Sequence, residues 1–110
     1  MSRPKRKRRR SVRRIDKLII GRYLRIMVTV VVTPEAQDEL QRLPVVIQVR
    51  IERVFARLGH WPDVSGARPL RGRLAGRYRI RTGDYRVQFR VSGDVVTVEK
   101  VGHRDRFYGE

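Results

Sequence analysis

The sequence predicts an α+β domain in which two helices pack on one face of a small antiparallel β-sheet, in the order β-α-α-β-β-β. A β-branched segment at residues 27–33 is typical of a strand. Apolar residues spaced for two helices follow between residues 34 and 58. From residue 77 to residue 101 apolar and polar residues alternate, which is typical of strands with one buried face.

The first strand leads directly into signals for two helices. Thr33 is suited to be an N-cap, Pro34 stands at the first helical position, and Glu35 complements the helix dipole. Pro44 is predicted to open the second helix, and Gly59 is predicted to end it. The apolar residues of the second helix are Ile47, Ile51, Val54, Phe55 and Leu58.

A hairpin is predicted at residues 77–91, followed by a last strand at residues 94–101. One face of the hairpin, here named the arginine face, carries Arg77, Arg79, Arg81, Arg86 and Arg90. The other face carries Tyr78, Ile80, Tyr85, Val87 and Phe89. We expect the apolar face to cover the helices, because a shift by one residue would bury the arginines. The arginine face is then either a solvated charged surface or a binding surface for an anion.

Length and composition exclude several classes of protein. The chain has 110 residues, enough for one small domain, and no cysteine, which excludes a disulfide framework and a cysteine-based zinc site. No apolar run approaches the roughly 20 residues that cross a bilayer. The basic N-terminus does not resemble a secretory signal. We therefore expect a cytoplasmic protein without a membrane partner.

The net charge of +16 is concentrated near the N-terminus. Residues 1–26 contain 12 of the 27 basic residues and one of the 11 acidic ones. Such a block of like charge is typical of a disordered tail, so we predict an N-terminal extension at residues 1–26 and a domain at residues 27–110. Two interpretations of the extension are open: an arm that binds nucleic acid, or a reading frame that starts too early, since Met27 would begin a complete domain.

Four short motifs in the C-terminal half occur in a fixed order. They are Leu-x-Gly at residues 70–72, Gly-x-Tyr-Arg-x-Arg at 76–81, Gly-Asp-Tyr-Arg at 83–86, and Gly-His-Arg at 102–104 with an aromatic residue after it. With the order of predicted elements, they resemble the RelE/ParE superfamily of toxins from toxin–antitoxin operons. The resemblance covers residues 27–108 and implies a RelE-like fold and an acidic antitoxin as partner.

The superfamily contains two activities, and the resemblance favours one of them. RelE-like members cut mRNA in the ribosomal A site, whereas ParE-like members inhibit DNA gyrase and lack the basic catalytic set. That set corresponds here to Arg79, Arg81, Arg86, Arg104 and Tyr108. The resemblance therefore implies an mRNA endonuclease that acts on the ribosome without metal or cofactor. The alternatives are a ParE-like gyrase inhibitor and a non-catalytic protein that binds RNA or the ribosome.

The chemistry of RNA cleavage divides the candidate residues into two groups. Arginine can stabilise the charge that develops on phosphate, but its pKa above about 12 makes it unsuited to proton transfer. RelE-like enzymes carry lysines where this chain has Arg79 and Arg81, so we expect His103 or Tyr108 to transfer protons. Further contacts to RNA are predicted for Arg71, Arg73, Arg77, Arg90 and Arg106.

Overall fold

The computed structural model describes residues 13–15 and 28–107, which form a six-stranded sheet with helices. The strands are β1 (Arg13–Ile15), β2 (Thr29–Val32), β3 (Arg68–Pro69), β4 (Arg77–Thr82), β5 (Tyr85–Ser92) and β6 (Val95–His103). The helices are α1 (Pro34–Gln41), α2 (Val45–Leu58) and the short α3 (Arg104–Phe107), with a 3₁₀ turn at Gly72–Leu74. The predicted α+β class is confirmed, and so are the two helices that precede the meander.

The strand order across the sheet is β1-β2-β6-β5-β4-β3. The expected sheet was antiparallel throughout, but β2 runs parallel to β6, with Val30 opposite Val96, so the sheet is mixed. The helices α1 and α2 form the long connection that a parallel pair requires, and the meander then brings its last strand next to β2. β1 belongs to the predicted extension and pairs with the outer edge of β2.

The helix starts follow the local signals. The hydroxyl of Thr33 accepts a hydrogen bond from the backbone N–H of Ala36 at 3.1 Å, and Pro34 occupies the first turn of α1. α2 begins after Pro44 and ends at Gly59, as predicted. Within the described residues, no helix has the length and apolar character needed to cross a membrane.

Removal of the α1 cap gives a first testable prediction. We expect Thr33→Ala to lower the free energy of unfolding by about 1 kcal/mol, because the Ala36 N–H loses its acceptor. Urea unfolding of the full chain measures this change, with Thr33→Ser as the control that keeps the hydroxyl. Equal stability of the wild type and Thr33→Ala would show that the cap contributes nothing.

The core lies between the sheet and the helices α1 and α2. Its members are Val30, Val32, Ala36, Leu40, Ile51, Val54, Phe55, Leu58, Ile80, Val87, Phe89, Val96, Val98 and Val101, each at most 3% exposed. The rings of Trp61 and Tyr78 contact Phe89 with centroid distances of 5.4 and 5.6 Å and extend this core. The two helices therefore cover one face of the sheet and leave the arginine face on the other side.

Candidate functional site

The arginine face is ordered by the register of the strands. On β4 and β5, Arg81 lies opposite Arg86, and on β3 and β4, Arg68 lies opposite Arg79. Residues opposite each other in antiparallel strands point to the same side of the sheet. The pairing of β3, β4 and β5 therefore places the four arginines on one side of the sheet, as the alternation in the sequence predicts for the three on the hairpin.

These four arginines line a single groove of about 390 Å³. We name it the arginine groove; within the part of the chain that the structure describes, the residues that line it are Gly66, Arg68, Arg79, Arg81 and Arg86. None of these lining residues is acidic. Arg86 is only 7% exposed, whereas Arg81 is exposed, so the groove has both a buried and an accessible arginine. Planar guanidinium groups donate paired hydrogen bonds to phosphate oxygens, so the groove suits a phosphate group.

The opposite end of the arginine face carries its own counterion. Nε of Arg77 and Nε of Arg90 donate to the two carboxylate oxygens of Glu99, at 2.6 and 2.8 Å. Burial raises the pKa of Glu99, but hydrogen bonds from the two arginines and their charges outweigh burial and hold this pKa below its ordinary value of 4.5. The ion pairs therefore persist at neutral pH and weaken as the pH falls through the lowered pKa.

The arginine face is not fully open, because α3 folds back over it. Phe107 is 5% exposed, and the guanidinium carbon of Arg79 lies 5.9 Å from the centre of its ring. Nζ of Lys100 lies 4.7 Å from the same ring and donates a hydrogen bond to the Phe107 carbonyl at 2.9 Å. Phe107 also packs over Gly102, which lies opposite Arg86. The aromatic ring and the two cations together fix α3 on this face.

His103 lies on the side of the sheet opposite to the arginine face. Its ring packs edge-on against Tyr85 at 5.1 Å, and Tyr85 belongs to the face that packs against the core. Its Nδ1 accepts a hydrogen bond from the backbone N–H of Asp105 at 3.1 Å. The structure therefore does not bring His103 to the arginine groove, and its catalytic role stays a prediction.

The remaining predicted residues lie around the groove rather than in it. Arg104 opens α3, is exposed, and forms an ion pair with Asp105 at 3.6 Å. Arg71 and Arg73 are exposed at the 3₁₀ turn, and Arg106 lines a separate cavity of about 490 Å³. Tyr108 falls outside the described residues. Among the described parts of the chain, no group of three or more His, Cys, Asp or Glu side chains could hold a metal ion.

Comparison with known proteins identifies the family. Residues 30–108 match the model of the family described as the ParE toxin of the type II toxin-antitoxin system, parDE. Toxin RelG of Mycobacterium tuberculosis (strain ATCC 25618 / H37Rv) is 35% identical over 83 residues, which cover 73% of this chain and 94% of RelG.

Solved structures show the same fold. The toxin–antitoxin complex RelBE2 from Mycobacterium tuberculosis contains a chain that is 33% identical, with a TM-score of 0.64 over 72% of this chain and 93% of that one. The RelB–RelE complex from Methanococcus jannaschii has a chain that is 25% identical, with a TM-score of 0.57 over 71% of this chain and 94% of that one. The isolated RelE toxin of Escherichia coli, 22% identical with a TM-score of 0.56, covers 66% of this chain and 79% of its own and shares the fold. The chain therefore belongs to the RelE/ParE superfamily of toxins from type II toxin–antitoxin systems.

Proposed function

We propose that this toxin is a metal-independent endoribonuclease that cleaves mRNA on the ribosome. One observation carries the proposal: the described residues that line the arginine groove include four arginines and no acidic side chain. Such a groove attracts a polyanion and supplies fixed donors for a phosphate group. The ParE-like alternative has less support, because ParE-like members lack the basic set to which Arg79, Arg81 and Arg86 correspond.

The groove supports the electrostatic part of RNA cleavage. When the 2′-oxygen attacks the phosphorus, negative charge grows on the phosphate oxygens before the bond to the 5′-oxygen breaks. Donors that are already in place when this charge develops stabilise the transition state. Arg81 and Arg86 lie opposite each other on the hairpin and are our candidates for this role. Arg79 precedes Arg81 by two residues on β4 and lies opposite Arg68 on β3, and these two arginines extend the phosphate site along the groove.

Proton transfer needs a different type of side chain. Arginine holds its proton at neutral pH, so it can neither take the proton of the 2′-hydroxyl nor readily protonate the leaving oxygen. We assign this step to Tyr108, because it directly follows Phe107, and Phe107 lies on the arginine face. His103 ranks second, since its ring packs on the opposite side of the sheet.

The proposed partners follow from the charge of the chain and from its relatives. The M. tuberculosis and M. jannaschii relatives were solved as toxin–antitoxin complexes. A net charge of +16 suits an acidic antitoxin as well as ribosomal and messenger RNA. We propose that a cognate antitoxin keeps the toxin inactive, and that the toxin works in the cytoplasm, where ribosomes translate.

Two assays run in parallel separate this proposal from gyrase inhibition. We expect the purified chain to stop protein synthesis in a reconstituted translation system and to leave supercoiling by DNA gyrase unchanged. Uncut mRNA together with inhibited supercoiling would replace the proposal with the ParE-like activity. Inhibited translation with intact mRNA would instead favour a non-catalytic ribosome-binding protein.

A further inference from the structure

We propose that Glu99 confines RNA binding to the arginine groove by holding Arg77 and Arg90 in ion pairs at the other end of the arginine face. This inference rests on the proposed function in taking RNA as the anion that the face binds. It gives Glu99 a role in specificity: the carboxylate determines how far along the sheet the phosphates of an RNA strand find arginine donors that Glu99 does not hold.

Glu99 follows the alternation of β6 onto the arginine face, because Val96 and Val98 point to the core, and the strand becomes irregular at Glu99. Gln88 lies opposite Lys100 and Phe89 lies opposite Val98, so Glu99 has no partner in the described register of β5 and β6. An extra residue of this kind is a β-bulge, which redirects the side chains that follow it. The Glu99 carboxylate lies on the arginine face, within hydrogen-bond distance of both arginines, and the bulge turns Lys100 to the same side.

The ion pairs compete directly with an RNA phosphate. Arg77 lies opposite Arg90 on the hairpin, and each donates through Nε to a different oxygen of the same carboxylate. The side chain of Glu99 is only 19% exposed, so these pairs are less screened by salt than pairs on an open surface. A phosphate that approaches this end must displace the Glu99 carboxylate from the two arginines. The negative charge of the carboxylate also repels the phosphate.

The arginine groove differs in this respect. Among the described residues that line it are four arginines and no carboxylate, so no acidic side chain of this lining offsets the positive charge that a phosphate meets. The arginine face therefore has an end that binds phosphate and an end that is partly neutralised. An RNA strand gains most binding free energy when its phosphates enter the groove, and it gains little more when it shifts toward Arg77. This difference favours one placement of the strand, with a phosphate beside Arg81 and Arg86.

The salt dependence of RNA binding tests the inference. The full chain and its Glu99→Gln variant are titrated with a short 2′-O-methyl oligouridylate, which a nuclease that uses the 2′-hydroxyl cannot cut. Each additional phosphate contact steepens the plot of log K against log salt by about 0.7 for single strands. One or two new contacts should therefore steepen it by about 0.7 to 1.4. The extra loss of affinity between about 50 and 200 mM salt is then about three- to sevenfold.

Two comparisons make the test specific to Glu99. Glu35→Gln changes the net charge by the same amount, but Glu35 is exposed in the first turn of α1. The salt dependence of RNA binding by this variant should therefore have the same slope as that of the wild type. In the chain with native Glu99, Arg68→Gln should flatten the slope by about 0.7. Arg77→Gln should leave it unchanged, because the inference replaces the RNA contact predicted for Arg77 from the sequence with the ion pair to Glu99. This second pair keeps the test valid even if Glu99→Gln folds poorly.

The outcomes separate this inference from the proposed function. Equal slopes for Glu99→Gln and Glu35→Gln, or equal flattening by Arg68→Gln and Arg77→Gln, would overturn the role of Glu99. A steeper slope in Glu99→Gln supports it whether or not the toxin cuts mRNA, because the probe cannot be cleaved. Failure of cleavage in the translation system would count against the proposed nuclease and leave the binding result standing.

Discussion

Replacement of Arg81 by alanine is expected to lower the rate of mRNA cleavage by about 100- to 1000-fold, the usual effect of removing one donor that stabilises developing charge. Arg81 is exposed at its end of β4, so the change should leave the fold intact. It lies opposite Arg86 and lines the arginine groove, where its loss removes half of the proposed phosphate clamp. Cleavage rates at saturating ribosome concentration measure the effect as a change in kcat.

Two matched variants show whether the effect comes from the groove. Arg81→Lys keeps the charge but loses the planar fork, so we expect an intermediate rate. Arg53→Ala removes another exposed arginine, from α2 on the covered side of the sheet, and should cleave at the wild-type rate. If Arg81→Ala and Arg53→Ala cleave equally fast, Arg81 is not part of the site.

Replacement of Phe89 by alanine is expected to lower the free energy of unfolding by about 3 to 5 kcal/mol. Phe89 is fully buried, and its ring contacts Trp61 and Tyr78, so the change opens a cavity between the hairpin and the loop after α2. Domains of this size are stable by only about 5 to 15 kcal/mol, so a large part of the stability is lost. Urea unfolding of the full chain gives the measurement.

The control for Phe89 is an apolar residue at the surface. Val49 is 47% exposed on α2, and Val49→Ala should change the free energy of unfolding by less than about 0.5 kcal/mol. Phe89→Leu should recover most of the loss, because it keeps much of the apolar volume. A loss below about 1 kcal/mol for Phe89→Ala would mean that the core does not depend on this ring.

Local patterns were sufficient to predict the helices and the hairpin. The alternation in β4 and β5 separated Tyr78 and Phe89, which pack with the core, from Arg79 and Arg86, which line the groove. That separation depends only on the two-residue period of a strand. The cap at Thr33 is equally local, because its hydroxyl bonds to an N–H three residues away. These features needed no knowledge of how distant segments meet.

Features that depend on distant contacts could not be predicted. Strict alternation from Val96 and Val98 would point Lys100 into the core. The bulge at Glu99 instead places the Lys100 side chain on the arginine face, where it bonds to the Phe107 carbonyl. Arg68 belongs to a strand of two residues, which is too short to show a period. The parallel pairing of β2 with β6 likewise joins segments far apart in the sequence.

The most direct test of the proposed function is primer extension on an mRNA during its translation in a purified system. We predict discrete new 5′ ends in frame with codons, absent from the same mRNA without ribosomes and lost with Arg81→Ala. Such ends would show cleavage on the ribosome and place Arg81 in the site that performs it. An mRNA that stays intact on translating ribosomes, with a toxin that still stops translation or blocks gyrase, would contradict the proposal.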